Sequence, residues 1–549
     1  MSLRPLWYRD SVIYQIDPSL YRDSNGDGVG DFAGMRERLQ HVRGLGATCV
    51  WLMPFYASPF LDGGYDVTDH LAVDPRFGDL AEFVLFMEEA DDLGINVLIE
   101  LVAQHTSDQH RWFQEARHDR KSPYRDYYIW ADEPQETDVE PIFPTVEDSV
   151  WTWDDEAQQF YRHVFYAHEP DLALDNPLVR QEMHRTMTFW LRLGIAGFRV
   201  DAAPFLVERG RAAEPDSDGQ WLVREMRELV AHHQPGAVLL GEVDVEPQKY
   251  ADYFGDGDGM TMLLNFWINN HLFLALARGR AEPLVRALRD QPVPPRHAQY
   301  AHWLRNHDEL DLEQLTEEER AEVLQAFAPD ESMQAYGRGI RRRLAPMLEG
   351  DVRRQALAHA VLLSLPGTPV LRYGEEIGMG DDLSRPEREA VRTPMQWANA
   401  SAAGFSAGNP DHLAAPVISG GQFGYQDVNV YAQALQDDSL MKKITAMVNA
   451  RIGLREVGRN PVEVLDVDNE AVLALRYAGD NGSHVVMLAN LGEEKQEIRL
   501  PDQESRMVDV LADDDYGSAE HPPGPTRRTG VSLNGFGYRW LRPRETFFQ

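Results

Sequence analysis

Gly-Phe-Arg-Val-Asp-Ala, at residues 197–202, is the stretch from which the fold and chemistry of this chain can be inferred. Phe198 and Val200 are apolar, so the stretch is typical of a short buried strand. Side chains alternate across a strand, and Arg199 and Asp201 therefore point to the same side. A neighbouring guanidinium keeps an aspartate ionised, as a carboxylate nucleophile requires. A structural ion pair at a strand end accounts for the same residues, so the rest of the chain must decide.

Similar short apolar runs recur along the first two thirds of the chain, separated by amphipathic segments. The predicted strands lie at residues 12–16, 48–53, 96–102, 195–201, 237–243, 262–266, 300–306 and 369–373. Amphipathic helices are predicted at residues 35–45, 80–93, 177–193 and 220–233. This alternation predicts an α/β protein with a (β/α)8 TIM barrel. Such a barrel carries its chemistry at the carboxyl ends of its strands, where Asp201, Glu242 and Asp308 fall.

Two parts of the chain depart from the barrel pattern. The connection over residues 106–175 is too long for a plain loop, which favours an inserted subdomain after the third strand. Near the C-terminus the pattern changes to alternating strands and turns, which predicts an antiparallel β-sandwich. We therefore predict a catalytic barrel from residues 1–105 and 176–455, an inserted subdomain at 106–175 and a β-sandwich domain at 456–549.

Charge and cysteine content limit the partners and the compartment. Lys and Arg number 53 against 89 Asp and Glu, a formal charge of −36. Such a surface repels nucleic acid and anionic lipid, so neither is expected as a partner. The single cysteine, Cys49, cannot form a disulfide within the chain, and no run has the length and hydrophobicity of a signal peptide or membrane span. The sequence thus predicts a cytoplasmic protein with a small-molecule partner, and a homo-oligomer is left open.

Several short motifs, in order along the chain, carry a family resemblance. They are residues 64–67 (Gly-Tyr-Asp-Val), 104–108 (Gln-His-Thr-Ser-Asp), 197–202, 241–244 (Gly-Glu-Val-Asp) and 305–309 (Arg-Asn-His-Asp-Glu). Each motif alone is weak, but together and in this order they resemble the signature regions of the α-amylase superfamily, glycoside hydrolase family 13.

The resemblance implies roles for three acidic residues. Asp201 would be the nucleophile, Glu242 the general acid/base, and Asp308 the carboxylate that binds sugar hydroxyls and favours the distorted ring. The residues themselves agree, because retaining cleavage needs one ionised carboxylate and one protonated carboxyl. Arg199 would keep Asp201 charged. Glu242 ends an apolar strand, where burial should raise its pKa.

The same resemblance implies a set of substrate-binding residues. His105 and His307 would hydrogen-bond the hydroxyls of the terminal glucose, and Tyr65 would stack on its ring. Asp66 would bind the far hydroxyls and, with Arg392, would close the pocket, which favours short α-glucosides over long chains. The predicted substrate-binding residues are Tyr65, Asp66, His105, Arg199, His307 and Arg392.

A metal loop is predicted near the N-terminus. Residues 23–31, Asp-Ser-Asn-Gly-Asp-Gly-Val-Gly-Asp, offer oxygens at alternate positions, as calcium loops do. The loop is not an EF-hand, since Gly34 stands where a bidentate glutamate belongs. The resemblance implies a structural Ca²⁺, with Mg²⁺ as a substitute, and no organic cofactor; an Asx-rich turn without metal is the alternative. Its ligands would be Asp23, Asn25, Asp27, the Val29 carbonyl and Asp31.

Within the superfamily, residues 306–310, 340–348 and 364–380 are similar to those of trehalose synthases, which interconvert maltose and trehalose by intramolecular glucosyl transfer. Water must be kept from the glucosyl intermediate, and the inserted subdomain and the charged segment at 309–349 are candidate lids. An α-glucosidase that hydrolyses maltose, sucrose or isomaltose would use the same residues. A catalytically inactive relative is the third alternative, although all three carboxylates are present.

Overall fold

The structure is a computed structural model of the chain. It describes residues 3–135, 139–214, 216–479, 482–501, 507–516 and 529–544. Residues 136–138 of the predicted inserted subdomain, and the remaining residues of the predicted C-terminal domain, lie outside the described part.

Eight parallel strands close into a barrel, as predicted. Each strand pairs with the next one along the chain, and the last pairs with the first. The strands are β1 (Ile13–Ile16), β2 (Cys49–Leu52), β3 (Asn96–Leu101), β4 (Gly197–Val200), β5 (Val238–Gly241), β6 (Met262–Leu264), β7 (Gln299–Trp303) and β8 (Thr368–Arg372).

Alternation along each strand separates the barrel interior from the helix layer. In β1, Ile13 belongs to an inner apolar cluster, whereas Tyr14 packs into the larger core under the helices. Towards the carboxyl ends of the strands the inner positions become polar: Gln15, Glu100 and Arg199 are all buried. The register places Glu100 beside Arg199 on adjacent strands. A polar layer therefore lies directly beneath the mouth of the barrel.

Several of the helices that cover the barrel begin at side-chain N-terminal caps. Asp31, for example, caps the first long helix by accepting from the Gly34 amide, and Asn176 caps another through the Leu178 amide. The longer helices of the barrel are Phe32–Leu45, Leu80–Asp92, Pro177–Arg192, Ala203–Ala213, Trp221–His233, Phe266–Arg278, Glu282–Asp290, Val352–Ser364 and Leu440–Gly453. The shorter ones are Pro18–Tyr21, Tyr250–Phe254, Leu344–Met347, Val430–Leu435 and Arg455–Arg459. Over the described part of the chain, no helix combines the length and apolarity needed to span a bilayer.

Two small sheets stand at the carboxyl ends of the barrel strands. The inserted subdomain contains helix Arg111–His118 and a three-stranded antiparallel sheet of Trp130–Ala131, Gln159–Arg162 and Trp151–Asp154. The 309–349 segment contains helix Glu317–Phe327 and a sheet of Leu310–Asp311, Gly339–Ile340 and Gln334–Ala335.

The C-terminal strands form antiparallel sheets, as predicted. One sheet has the order Val462–Val464, Val472–Ala478, His484–Asn490, Tyr538–Pro543 and Met507–Ala512; the other pairs Gln496–Leu500 with Thr529–Leu533. This domain packs against the barrel, where the Tyr477 hydroxyl donates to the Ser364 carbonyl at 2.7 Å.

Candidate active site

A single cavity collects most of the predicted site residues at the carboxyl ends of the strands. Its volume is about 200 Å³, and its wall includes all three predicted catalytic carboxylates, Asp201, Glu242 and Asp308. The carboxylates come from different strand ends, because Asp201 follows β4 directly, Glu242 follows β5 directly and Asp308 lies in the loop after β7. Tyr65, His105 and His307 complete the predicted part of the wall.

Arg199 ties two of these carboxylates to the floor of the barrel. One terminal nitrogen lies 2.5 Å from Asp201 Oδ1 and 2.9 Å from Glu100 Oε2, and the other lies 2.8 Å from Glu242 Oε1. The second oxygen of Glu242 accepts from the Ala202 amide at 3.0 Å. Asp201 and Glu242 are therefore held in fixed orientations around one guanidinium.

Burial changes the proton affinity of both carboxyls. It raises the pKa of Glu242 to about 7, because Arg199 only partly offsets the cost of burying the charge. A carboxyl with this pKa is poised to donate a proton near neutral pH, as predicted for an acid catalyst. Burial also raises the pKa of Asp201 above its ordinary value, although the adjacent Arg199 acts in the opposite direction. Arg199 thus favours the ionised form of Asp201, as predicted, but burial has the larger effect on its pKa.

Asp308 has the opposite electrostatic environment. Its Oδ1 lies 2.7 Å from Arg388 Nη1 and 3.2 Å from Arg392 Nη2, and its Oδ2 lies 3.0 Å from His307 Nε2. Burial alone would raise its pKa, but His307 and the two guanidinium groups outweigh that effect and hold the pKa well below its usual range. Asp308 therefore stays ionised.

His307 is held by hydrogen bonds at both ring nitrogens. The Gln15 amide nitrogen lies 2.9 Å from Nδ1, and the Tyr65 hydroxyl lies 2.8 Å from Nε2. The Tyr65 hydroxyl also donates to Glu100 at 3.1 Å, and its ring stacks on the imidazole with centroids 5.5 Å apart. Burial lowers the pKa of His307 to about 3, so the ring is neutral. With Gln15 donating to Nδ1, the proton sits on Nε2 and faces Asp308.

His105 also lines the cavity, next to Phe165 of the inserted subdomain. Its Nε2 is 3.2 Å from the Tyr65 carbonyl oxygen and 3.6 Å from Glu169 Oε1. Its ring lies 5.2 Å from that of Phe165, which also lines the cavity. Burial lowers the pKa of His105 to about 4, so this imidazole too is neutral. The single N–H of the neutral ring is therefore on Nε2, where the Tyr65 carbonyl accepts it.

The structure contradicts the placement predicted for Asp66. Its carboxylate is fully buried and accepts from the Ser58 hydroxyl at 2.9 Å, the Leu61 amide at 2.9 Å and the Asp62 amide at 3.2 Å. These three hydrogen bonds stabilise the loop that ends in Gly-Gly-Tyr, and the Asp66 carboxylate is not part of the cavity wall. The residue of this loop that belongs to the cavity wall is Asp62.

Arg199 and Arg392 also lie behind the wall rather than in it. Arg199 is fully buried and contacts carboxylates, so it positions them and has no free face for a sugar. Arg392 is 2% exposed, and its Nε donates to the His307 carbonyl at 3.0 Å. The predicted pair of Arg392 with Asp66 is replaced by a 4.0 Å approach to Asp62. Both arginines support the site from outside the cavity.

Arg388 is a wall residue that the sequence interpretation missed. Its Nη2 donates to both oxygens of Asp62, at 2.7 and 2.8 Å, and its Nη1 donates to Asp308. It therefore joins two acids of the cavity wall. The sequence does show three arginines close together in one loop, at residues 385, 388 and 392. The spacing of these arginines along the chain does not show which of them reaches the cavity.

The predicted metal loop has oxygens of the right kind. Asp23 accepts from the Gly26 and Gly28 amides at 2.6 and 2.8 Å, and Asp31 accepts from the Gly34 amide at 2.6 Å. Other amide and hydroxyl groups also donate to these two carboxylates, so about one of the four lone-pair sites of each remains for a cation. Over the described residues, no three His, Cys, Asp or Glu side chains form a metal cluster. The donor chemistry fits Ca²⁺.

Comparison with known proteins identifies the part of the chain that contains the cavity as a catalytic domain. A model for the alpha amylase catalytic domain matches residues 15–456, and a model for the immunoglobulin-like C-terminal domain of D-apionate lactonase matches residues 469–541. The solved structure of the α-amylase from H. orenii superposes with a TM-score of 0.79 at 24% identity, over 97% of this chain and 99% of that one. That likeness concerns the fold.

Two relatives are similar over nearly the whole chain. A trehalose synthase of Thermus thermophilus is 43% identical over 98% of this chain, which spans only 56% of that longer protein. A trehalose synthase/amylase of Mycolicibacterium smegmatis is 40% identical over 98% of this chain and 93% of its own length.

Proposed function

Because the chain belongs to the α-amylase family of glycoside hydrolases, we propose that it is a retaining enzyme for short α-glucosides that interconverts maltose and trehalose. One observation carries the proposal: Asp201 and Glu242 share the guanidinium of Arg199 and face Asp308 across one small cavity. The identity to trehalose synthases over nearly the whole chain supports this choice of substrate. Some hydrolysis would accompany the transfer.

In the first step, the Glu242 carboxyl gives its proton to the glycosidic oxygen of maltose while the Asp201 carboxylate attacks the anomeric carbon. The bond from that carbon to the glycosidic oxygen breaks, and free glucose remains beside a glucosyl–Asp201 ester. In the second step, ionised Glu242 takes a proton from the anomeric hydroxyl of the released glucose. That oxygen attacks the glucosyl carbon, the bond to Asp201 breaks and trehalose forms.

The part of the cavity wall around Asp308, Asp62 and Arg388 would bind the glucosyl unit. Asp308, held ionised, would accept from sugar hydroxyls, and Asp62 and Arg388 would contact the far side of the ring. His105 and His307 lie in the same wall, where the single N–H of each neutral ring is directed to a protein acceptor. The small volume of the cavity, about 200 Å³, supports a short α-glucoside as the substrate.

Exclusion of water is what separates transfer from hydrolysis. Phe143 of the inserted subdomain lines the cavity and lies 4.9 Å, ring to ring, from Tyr336 of the 309–349 segment. The two elements therefore meet over the site, which supports the role proposed for them as lids. An enclosed site can retain the released glucose while it turns.

The test is to incubate the protein with maltose and to follow trehalose and glucose by chromatography, then to repeat the assay from trehalose. Interconversion in both directions, with little incorporation of added isotope-labelled glucose, is the expected result. Asp201→Asn is the inactive control. Release of glucose without trehalose would replace this proposal with an α-glucosidase.

We also propose that the loop at residues 23–31 binds a structural Ca²⁺, for which Mg²⁺ could substitute. The support is its donor set of carboxylate, amide and carbonyl oxygens. Thermal unfolding should move to higher temperature when Ca²⁺ is added to chelator-treated protein. Asp27→Asn keeps the acceptor for the Val29 amide but removes the exposed charge, so it should abolish that shift. An unchanged melting temperature in wild type would exclude the site.

A reducing compartment is proposed on the basis of cysteine chemistry. The single cysteine, Cys49, is buried in β2, and burial raises the pKa of its thiol well above the ordinary value. Such a thiol is unreactive, and the chain does not depend on an oxidising environment. Cell fractionation tests the cytoplasmic location, and light scattering tests whether copies of the chain associate.

A further inference from the structure

We propose that Glu387 is a positioning residue that holds both lids over the cavity and so determines how the glucosyl–Asp201 intermediate divides between glucose and water. The inference rests on the proposed function and adds to it the residue that controls the outcome. Glu387 itself does not line the cavity; it acts through its neighbours.

One oxygen of Glu387 joins two separate parts of the chain. Its Oε2 accepts from the Tyr166 hydroxyl at 2.7 Å and from the Tyr336 hydroxyl at 2.9 Å. Tyr166 belongs to the inserted subdomain and Tyr336 to the 309–349 segment. A carboxylate can accept both bonds at once, and charge-assisted bonds of this kind are the stronger ones. Glu387 thus fastens the two lids to a third element, the loop after β8.

Beneath this junction lies an aromatic cluster that closes the cavity. Phe143 stacks on Tyr166 with ring centroids 4.4 Å apart and is 1% exposed. The same ring contacts Tyr336, and the Arg388 guanidinium lies 4.8 Å from its centroid. Because Phe143 is also a wall residue, displacement of either tyrosine would open the wall beside it.

The backbone of Glu387 indicates that the junction is built under constraint. Its φ is 42°, in the left-handed region that residues with a side chain rarely adopt. Such conformations persist where the surrounding contacts hold them, and they cluster at functional sites. Here the geometry sends the side chain of Glu387 to the lid tyrosines, while that of Arg388 reaches Asp62 and Asp308.

The chemical consequence follows from the second step of the reaction. In hydrolysis, a water oxygen attacks the glucosyl carbon, Glu242 takes a proton from that water, and the bond to Asp201 breaks. Transfer to glucose uses the same atoms of the enzyme and differs only in the attacking oxygen. The ratio of the two products therefore reports how well the lids exclude water and retain glucose.

The experiment compares Glu387→Ala with Glu387→Gln, assayed with maltose. Glu387→Ala removes the acceptor, and the ratio of net glucose to trehalose should rise about fivefold or more, while maltose consumption falls by a smaller factor. Glu387→Gln keeps an acceptor oxygen and should stay within about twofold of wild type. Tyr166→Phe and Tyr336→Phe each remove one hydroxyl and keep the aromatic ring. Their ratios of glucose to trehalose should lie between those of wild type and Glu387→Ala.

Glu331→Ala, which removes an exposed carboxylate from the 309–349 segment, is the matched control. An unchanged product ratio in folded Glu387→Ala would overturn the proposal, and so would a Glu387→Gln ratio as high as that of the alanine variant. Should wild type make no trehalose, the proposed function fails separately. In that case the ratio of hydrolysis to glucosyl transfer is measured with 4-nitrophenyl α-glucoside as donor and added glucose as acceptor. The same differences between wild type and the Glu387 variants then test the role of Glu387.

Discussion

The pH dependence of the first chemical step depends on the proton of Glu242. This carboxyl must be protonated to assist the leaving oxygen, and burial raises its pKa to about 7. Activity should therefore be lost as the pH rises through that value. About 9% of a group remains protonated one unit above its pKa, so kcat/KM for maltose at pH 8 should be about one tenth of its value at pH 6.

The perturbation that isolates this residue is Glu242→Gln. An amide has no proton to lose, so the alkaline limb should disappear, and kcat/KM should fall about 10²- to 10⁴-fold, the range for loss of general acid catalysis. With 4-nitrophenyl α-glucoside the leaving group needs no proton, and the first step should be far less affected. Glu246→Gln, which changes an exposed carboxylate of the same loop, is the control.

The assay is the initial rate from pH 4.5 to 9 at substrate concentrations well below KM. The acid limb reports Asp201, which must be ionised; because burial raises its pKa, this limb should lie above the pH at which a free aspartate titrates. An alkaline limb that survives unchanged in Glu242→Gln would refute the assignment. So would a wild-type rate that shows no fall between pH 6 and pH 8.

Further substitutions separate the residues of the wall from those behind it. Asp201→Asn should reduce product formation from maltose at least about 10³-fold, because an amide cannot attack the anomeric carbon; chromatography checks this. Arg388→Ala removes the bidentate partner of Asp62 and leaves Asp308 with the Arg392 guanidinium; about 3 kcal/mol for a broken buried pair corresponds to a loss of about two powers of ten in kcat/KM, with Arg388→Lys less impaired. Asp66→Ala removes the acceptor of two backbone amides and should chiefly lower the free energy of unfolding, by about 1 to 3 kcal/mol in urea denaturation. Asp62→Ala breaks a buried ion pair and should lower both stability and kcat/KM; a larger loss of kcat/KM in Asp66→Ala than in Asp62→Ala would contradict the placement of these two acids.

The barrel was predictable because its information is local. Each strand is a short apolar run, and a run such as residues 197–202 shows by itself which side chains share a face. The strand ends then indicated Asp201 and Glu242, since the residue after a buried strand must lie at the rim of the barrel. For these two residues, the position directly after a strand in the sequence is enough to place them at the rim of the folded barrel.

The substrate-binding residues were predicted less well, because their positions depend on the conformation of a turn or on contacts between distant segments. Asp62 and Asp66 are four residues apart, with two glycines between them. Only the folded loop shows that the carboxylate of Asp66 accepts hydrogen bonds from backbone amides. Arg388 reaches the site from a loop more than 300 residues beyond Asp62 in the chain. Spacing along the chain could not rank it above Arg392.

The sequence by itself determined the barrel, the C-terminal sheets and the three carboxylates, because these follow from periodicity and from motifs within single segments. The tertiary structure alone decided which acids face the cavity, how burial overrides Arg199 in setting the pKa of Asp201, and that one oxygen of Glu387 joins both lids. The physical reason is that desolvation and convergent hydrogen bonds depend on groups that become neighbours only when the chain folds.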